Sequence, residues 1–288
     1  MNRRDFIAGT VASSAVGSVV SVGARTTSRS QGAGVDVNVM LGQWPTRRLP
    51  LDDADRLARK LRDHGVQRAW AGTFEALLHK DLGAANARLA EMCRRQGGGL
   101  FEPRGSVDPT RPDWEEEVRR CAEVHGMRGL RLHPNYHGYR LDHPAVPSFF
   151  AAAAARRLIV EIAVVMEDER MMHPLLRVEP VDTAPLPDLI RSVPRTRIVL
   201  LNALRTVRAK PLLDLMATGA VWVELSMIEG LGGVRAVLDQ IPRDRLLFGS
   251  HAPLFYFEAA WLKLRESVLT DRELDSIRWN AVRALHGD

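Results

Sequence analysis

Residues 127–164 read MRGLRLHPNYHGYRLDHPAVPSFFAAAAARRLIVEIAV, and this stretch decides the fold. It opens on a short expected strand at 127–133, where Met127, Leu130 and Leu132 are interrupted by Arg128 and Arg131. It passes Pro144 into an alanine-rich helical stretch at 145–157 and closes on a second β-branched run at 158–164. Apolar runs without strict alternation suit strands buried on both faces, and a helix between two of them makes the strands parallel. The unit repeats from residue 35 onward. Strands are expected near 35–40, 67–73, 100–107, 127–133, 158–164, 197–202, 220–226 and 245–250. Helices are expected near 52–64, 81–96, 113–125, 145–157, 185–193, 208–218, 230–240 and 257–269, with a last one near 271–285. Eight strand-then-helix units predict an α/β chain closed as a single-domain (β/α)8 TIM barrel over 35–288, close to the usual length of about 250 residues. A doubly wound open sheet is the rival fold. It calls for a Gly-x-Gly-x-x-Gly turn after an early strand, whereas Gly97–Gly99 precedes a strand and reads as a helix exit.

Local punctuation agrees. Asp52 or Asp53 can cap the first helix and Gly65 follows its last turn, while Pro112 opens the third, whose acids Asp113 and Glu115–Glu117 suit the positive helix end. Hydrophobic content of 45% and charged content of 26% are those of a chain that builds its own core. The formal net charge of +5 is not a nucleic-acid signature, because Arg56, Arg59 and Arg62 alternate with acids and no basic run lies beside stacked aromatics. Cys93 and Cys121 fall inside expected helices without a Cys-x-x-Cys spacing, and read as core-facing thiols, a bridge being the alternative in an oxidising compartment.

The N-terminus has its own grammar. A charged start, an apolar small-residue stretch and Val22-Gly-Ala24 before Arg25 predict a signal peptide over 1–24. Adjacent Arg3 and Arg4, followed by Phe6 and Ile7, resemble a twin-arginine signal. The expected partner is then the twin-arginine export machinery and the expected location the periplasm or cell exterior of a bacterium. The glycines and serines leave 1–24 too weakly apolar for a stable membrane span, and 25–34 reads as a flexible lead-in.

In a barrel of this kind the working residues project from the C-terminal strand ends. Those ends carry Asn38 and Met40, Thr73 and Glu75, Arg104 and Ser106, Arg131 and His133, Glu161 and Ala163, Asn202, Glu224 and Ser226, and His251. Polar groups there need partners or a function, since burial without either is costly.

Several segments resemble the amidohydrolase-related family. Gly129-Leu-Arg-Leu-His-Pro134 with Gly138-Tyr-Arg-Leu-Asp142 is similar to its fourth strand and following loop. Arg245-Leu-Leu-Phe-Gly-Ser-His-Ala-Pro253 is similar to its eighth strand, Asn280-Ala-Val-Arg-Ala-Leu to its closing helix, and Asp36-Val-Asn-Val-Met40 takes the place of its first. The resemblance implies metal-ligating histidines on strands one, five and six and a metal-binding aspartate on strand eight. Here those places hold Asn38 and Met40, Ala163, Asn202 and His251. No metal and no other cofactor is therefore expected.

The family includes pyrone-dicarboxylate lactonases, which hydrolyse an ester bond without metal. By that resemblance the chain is expected to be a metal-independent hydrolase of a small, anionic ester, lactone or amide. His251 would be the general base, with Glu224 or Glu161 orienting it. Arg104, Arg131 and Arg205 would clamp a carboxylate, and Asn38, His133 and Asn202 would line the substrate site. Plainer roles stand beside these. His251 could bond only loop backbone, His133 could anchor its loop, Asn202 could satisfy backbone, and Arg131 could pair with Glu161 or Glu102. The segment 166–174, a long loop after strand five, could shape substrate access. Two alternative functions share the fold: a small-molecule binding barrel without catalysis, and a decarboxylase.

Overall fold

A computed structural model describes residues 34–287, so the expected signal peptide and all but the last residue of the lead-in lie outside the described residues. Eight strands appear in the expected order: β1 (Gly34–Leu41), β2 (Val66–Thr73), β3 (Phe101–Pro103), β4 (Gly129–Leu132), β5 (Ile159–Ala163), β6 (Arg197–Leu201), β7 (Val221–Glu224) and β8 (Leu246–Leu247). The helices that follow them in turn are Ala54–Asp63, Leu82–Arg95, Trp114–Arg119, Val146–Ala155, Leu186–Ser192, Ala209–Thr218, Gly233–Leu238 and Phe257–Glu266. Asp53 caps the first through the amide of Arg56, and Asp81 caps the second through that of Ala84.

Parallel ladders run β1-β2-β3 and β4-β5-β6-β7-β8. Two seams join them into a ring. At one, the Gly105 amide donates to Gly129 O (3.2 Å) and the Arg131 amide to Gly105 O (2.6 Å). At the other, Val37, Met40 and His251 amides bond Phe248, Ala252 and Asn38 carbonyls at 2.8–2.9 Å. The strands at these seams are shorter than the sequence suggests. Pro103 has no N–H to continue the β3 ladder. Past β8 the chain turns through Gly249-Ser250-His251, where His251 has φ of 58°. Gly105 is the glycine that the first seam needs: a Cβ there would sit 2.5 Å from Cys121 Sγ and 2.9 Å from Met127 Sδ.

Alternate strand residues separate two apolar layers. One packs beneath the helices, as with Val39, Leu130, Val160, Leu200 and Val223. The other fills the barrel with Val35, Val37, Ile159, Val199, Leu201 and Leu247, and meets Ala281, Val282 and Leu285 of the last helix. Arg197, the first residue of β6, bonds the carbonyls of Leu285 and His286, so this helix closes the N-terminal end. Cys93 and Cys121 are unbridged and buried, and burial pushes both thiols up to about 12, where neither is a nucleophile at neutral pH. No helix among the described residues is long and apolar enough to cross a membrane.

Candidate active site

Above the apolar filling lies a layer of three charges. Arg131 on β4 is in register with Glu161 on β5. Arg131 Nε donates to Glu161 Oε2 at 2.7 Å, and Arg104 Nε donates to Oε1 at 2.8 Å. The rest of the Arg131 guanidinium bonds the carbonyls of Val39 (3.0 Å), Val37 (3.2 Å) and Trp70 (3.4 Å). Arg104 stacks its guanidinium 4.1 Å from the Trp70 ring centre and also reaches Glu102. All three side chains are buried. The expected clamp roles of Arg104 and Arg131, and the expected orienting role of Glu161, are therefore corrected. In a dry interior each charge needs the others, which leaves no donor for a substrate and no oxygen for His251. Arg205 is corrected for a different reason: it sits at the rim and pairs with Asp168 (2.8 Å), Glu169 (3.3 Å) and Glu229 (3.8 Å).

The next layer up is a neutral-donor cage around Glu224, at the end of β7. Its carboxylate accepts from the amides of Asn202 (2.5 Å) and Ser226 (2.6 Å), from Ser226 Oγ (2.8 Å) and from Asn38 Nδ2 (3.3 Å). Asn38 Nδ2 also donates to Asn202 Oδ1 at 2.7 Å, so β1, β6 and β7 are tied side chain to side chain. Gly249 makes room for this carboxylate, because a Cβ at that position would overlap Glu224 Oε2. Burial raises the Glu224 carboxyl, against the four bonds that favour its charged form. Asp36 does a similar job at the β1–β8 seam, accepting from the amides of Asn38 (3.1 Å) and Ser250 (3.0 Å), and burial pushes it up to about 7. Ser226, placed at a strand end by the sequence, belongs to this layer, and so does Asp36, for which sequence reasoning gave no role. The signal for Asp36 was a carboxylate inside an otherwise apolar strand, two residues before Asn38.

His251 stands beside the cage. Its Nε2 lies 2.7 Å from the carbonyl of Met166, and a carbonyl only accepts, so Nε2 carries the proton. Nδ1 then keeps its lone pair, and it is buried without a partner. Asn202 Nδ2 lies 3.5 Å from Nε2, but both are donors in this tautomer, and Nδ2 donates to Val165 O at 2.7 Å. The group that orients His251 is thus a backbone carbonyl of the β5 loop. That corrects the expected orienting role of Glu224, whose oxygens are all committed elsewhere. Burial holds His251 down at about 4, and it is neutral at pH 7. Asn202 and His251 both have left-handed backbones, with φ of 55° and 58°. Such conformations cost energy for residues with a Cβ and concentrate at functional sites.

His133, at the end of β4, is the other buried imidazole of this region, and its Nδ1 also lacks a partner. Burial lowers it well below its usual range, with the neighbouring imidazole of His137, the Arg131 guanidinium and the imidazole of His251 adding to the effect. An apolar cap of Met40, Trp44, Leu49, Phe74, Leu77, Ala163 and Met166 covers the mouth. His251 is 0% exposed beneath it.

The residues do not fit a metal. Asn38 and Asn202, in two of the places where a ligand would stand, bond each other directly, and Met40 and Ala163 offer a thioether and a methyl. Among the described residues no group of three or more His, Cys, Asp or Glu is arranged to hold an ion.

A family model described as amidohydrolase matches residues 45–285. No curated protein matches the chain. Among solved structures, a 2,6-dihydroxybenzoate decarboxylase from Rhizobium superposes with a TM-score of 0.67 at 14% identity, covering 88% of this chain and 99% of that one. A dihydroxybenzoic acid decarboxylase from Polaromonas, with bound manganese, gives 0.65 at 15% over 88% and 97%. A 5-carboxyvanillate decarboxylase from Sphingomonas paucimobilis gives 0.63 at 15% over 80% and 81%. At such identities the likeness is one of fold.

Proposed function

Because the chain belongs to the amidohydrolase family, we propose that it is a metal-independent hydrolase of a small ester, lactone or amide, with His251 as general base. The observation that carries this reading is the free, buried Nδ1 of an imidazole whose tautomer is set by the Met166 carbonyl. A neutral imidazole so held can take a proton from water as the water attacks the substrate carbonyl. It can then return that proton to the departing alkoxide or amine. His133, with its own free nitrogen, is the group available to hydrogen-bond the developing oxyanion or the leaving group. The engaged arginines withdraw support for an anionic substrate. Trp44, Phe74, Met40 and Met166 favour one with an apolar or aromatic body.

The test is a panel of neutral esters, lactones and amides assayed with chelator present. On a substrate found this way, His251→Gln is expected to lower turnover by about 10²–10⁴-fold. Unchanged turnover in that variant overturns the assignment. The closed cap and the densely bonded interior favour a second reading, a ligand-binding barrel without catalysis. It gives ligand-induced thermal stabilisation with no product from any bound compound. A decarboxylase draws support from the fold of its neighbours, but the manganese that one of them binds finds no matching donor set among the described residues. We further propose twin-arginine export to the periplasm, resting on Arg3, Arg4 and the apolar stretch after them, with Arg3→Lys/Arg4→Lys expected to retain the protein in the cytoplasm in a fractionation assay.

A further inference from the structure

In an eight-stranded ring β1 and β5 stand opposite each other, so the loops leaving their C-terminal ends approach from opposite sides of the mouth. The β1 loop brings Trp44, Arg47 and Leu49; the β5 loop brings Met166 and Glu167. Trp44 sets its edge on Phe74 with ring centres 5.2 Å apart, and its Nε1 donates to Thr46 Oγ1 at 3.0 Å. Arg47 Nη1 donates to the carboxylate of Glu167 across the mouth. The Glu167 side chain is 4% exposed and that of Arg47 35%. The two residues before Glu167 are those whose carbonyls meet the polar layer: Val165 O accepts from Asn202, and Met166 O from His251.

We infer that the Arg47–Glu167 pair is a latch across the barrel mouth. Arg47 is a positioning residue that keeps the cap shut and, through Glu167, holds the Met166 carbonyl on His251. The physical reason is the depth of Glu167. A carboxylate so little exposed is stable only beside its counter-charge, and when the pair parts it moves toward water. Met166 is its chain neighbour, so the same movement removes an apolar member of the cap. It also draws the Met166 carbonyl off His251 and admits water to Nδ1, and reclosure over the bound substrate restores the bond that sets the tautomer. Opening for substrate and rehydration of the base thus become one event. The catalytic meaning of this event rests on the reading of His251 as general base; the latch itself does not.

The experiment needs no substrate. Diethyl pyrocarbonate modifies accessible neutral imidazoles, and peptide mass spectrometry reads each histidine separately, with exposed His79 as an internal reference. In the wild-type protein His251 is expected to react far more slowly than His79. Arg47→Glu is expected to speed His251 modification at least about tenfold, and Arg47→Ala to speed it less. The double exchange Arg47→Glu/Glu167→Arg is expected to bring the rate back to within about threefold of wild type. Thermal melts of all three variants report whether folding is intact, and Arg47→Ala carries the test if Arg47→Glu does not fold. Unchanged His251 modification in the folded single variants overturns the latch. So does a rise that the double exchange fails to reverse. If His251→Gln leaves turnover intact while labelling responds as expected, the general-base reading falls and the latch stands. The opposite pair of results removes the latch alone.

Discussion

Glu161 illustrates how a strand-end residue is decided by its neighbours. It carries the charge and position of a catalytic carboxylate, yet both its oxygens belong to Arg104 and Arg131. Removing it strands two guanidiniums in a dry interior. Glu161→Ala is expected to cost about 3–5 kcal/mol in chemical denaturation, and a loss below ~1 kcal/mol would show that water reaches this layer. Glu224 is stabilised differently, by donors without charge. In Glu224→Gln one acceptor becomes a donor facing donors, and a loss of about 1–3 kcal/mol is expected by the same measurement. At this scale the sequence pointed to most of the polar layer, because Asn38, Glu161, Asn202, Glu224 and His251 stand where buried strands end. It did not reveal who bonds whom. The pairing of Asn38 with Asn202 spans 164 residues of chain, and the partner of His251 is a backbone carbonyl, which has no side-chain identity to read.

The elements follow their own arithmetic. All eight strands and the helices between them were legible from apolar runs, caps and helix exits, since each is a local pattern. Their lengths were not. β3 and β8 are cut short at the seams, where ring closure competes with ladder continuity. Gly105 marks one such seam, and the close approach of Cys121 depends on it. Gly105→Ala is expected to lower stability by about 1–3 kcal/mol through overpacking. The check is a lower denaturation midpoint with an unchanged slope, because the denatured state gains only a methyl group. The short helices Glu75–Leu78 and Pro134–His137 also escaped sequence reading; each is a single turn, too short for periodicity to register.

For the whole molecule, buried titratable groups set the response to pH. Burial holds His251 and His286 down at about 4 and lowers His133 and His137 as well. In the unfolded chain these imidazoles return to about 6.5, so it binds more protons there. Their contribution to stability is complete above about 6.5 and is lost as pH falls toward 4. Asp36, pushed up to about 7, acts with the opposite sign: its contribution is present below about 3.9 and is lost as pH rises through 7. The melting temperature is accordingly expected to rise from about pH 4.5 to pH 6.5. In Asp36→Asn the rise should be steeper, because one opposing carboxyl is gone while Glu224, also raised by burial, remains; an identical profile would show that Asp36 does not titrate in this range. A chelator is expected to leave the wild-type melting temperature within about 1 °C, because no group of three or more His, Cys, Asp or Glu among the described residues is arranged to hold an ion. A larger drop would refute the mismatch between these donors and a metal.

What the sequence determined by itself is the barrel and the side-chain types at its strand ends, among them Asn38, Met40, Ala163 and Asn202. Both are written in local order: strand and helix patterns of a few residues, and side-chain types at strand ends. What only the tertiary structure decided is how the remaining polar groups are spent. Ring closure brings β1 beside β8 and sets the β1 and β5 loops face to face over the mouth. Burial then compels each charge to find a partner among residues distant in sequence. Arg104 and Arg131 turn to Glu161, and Glu224 turns to amides and a hydroxyl. His251 is left with one nitrogen bonded and one free.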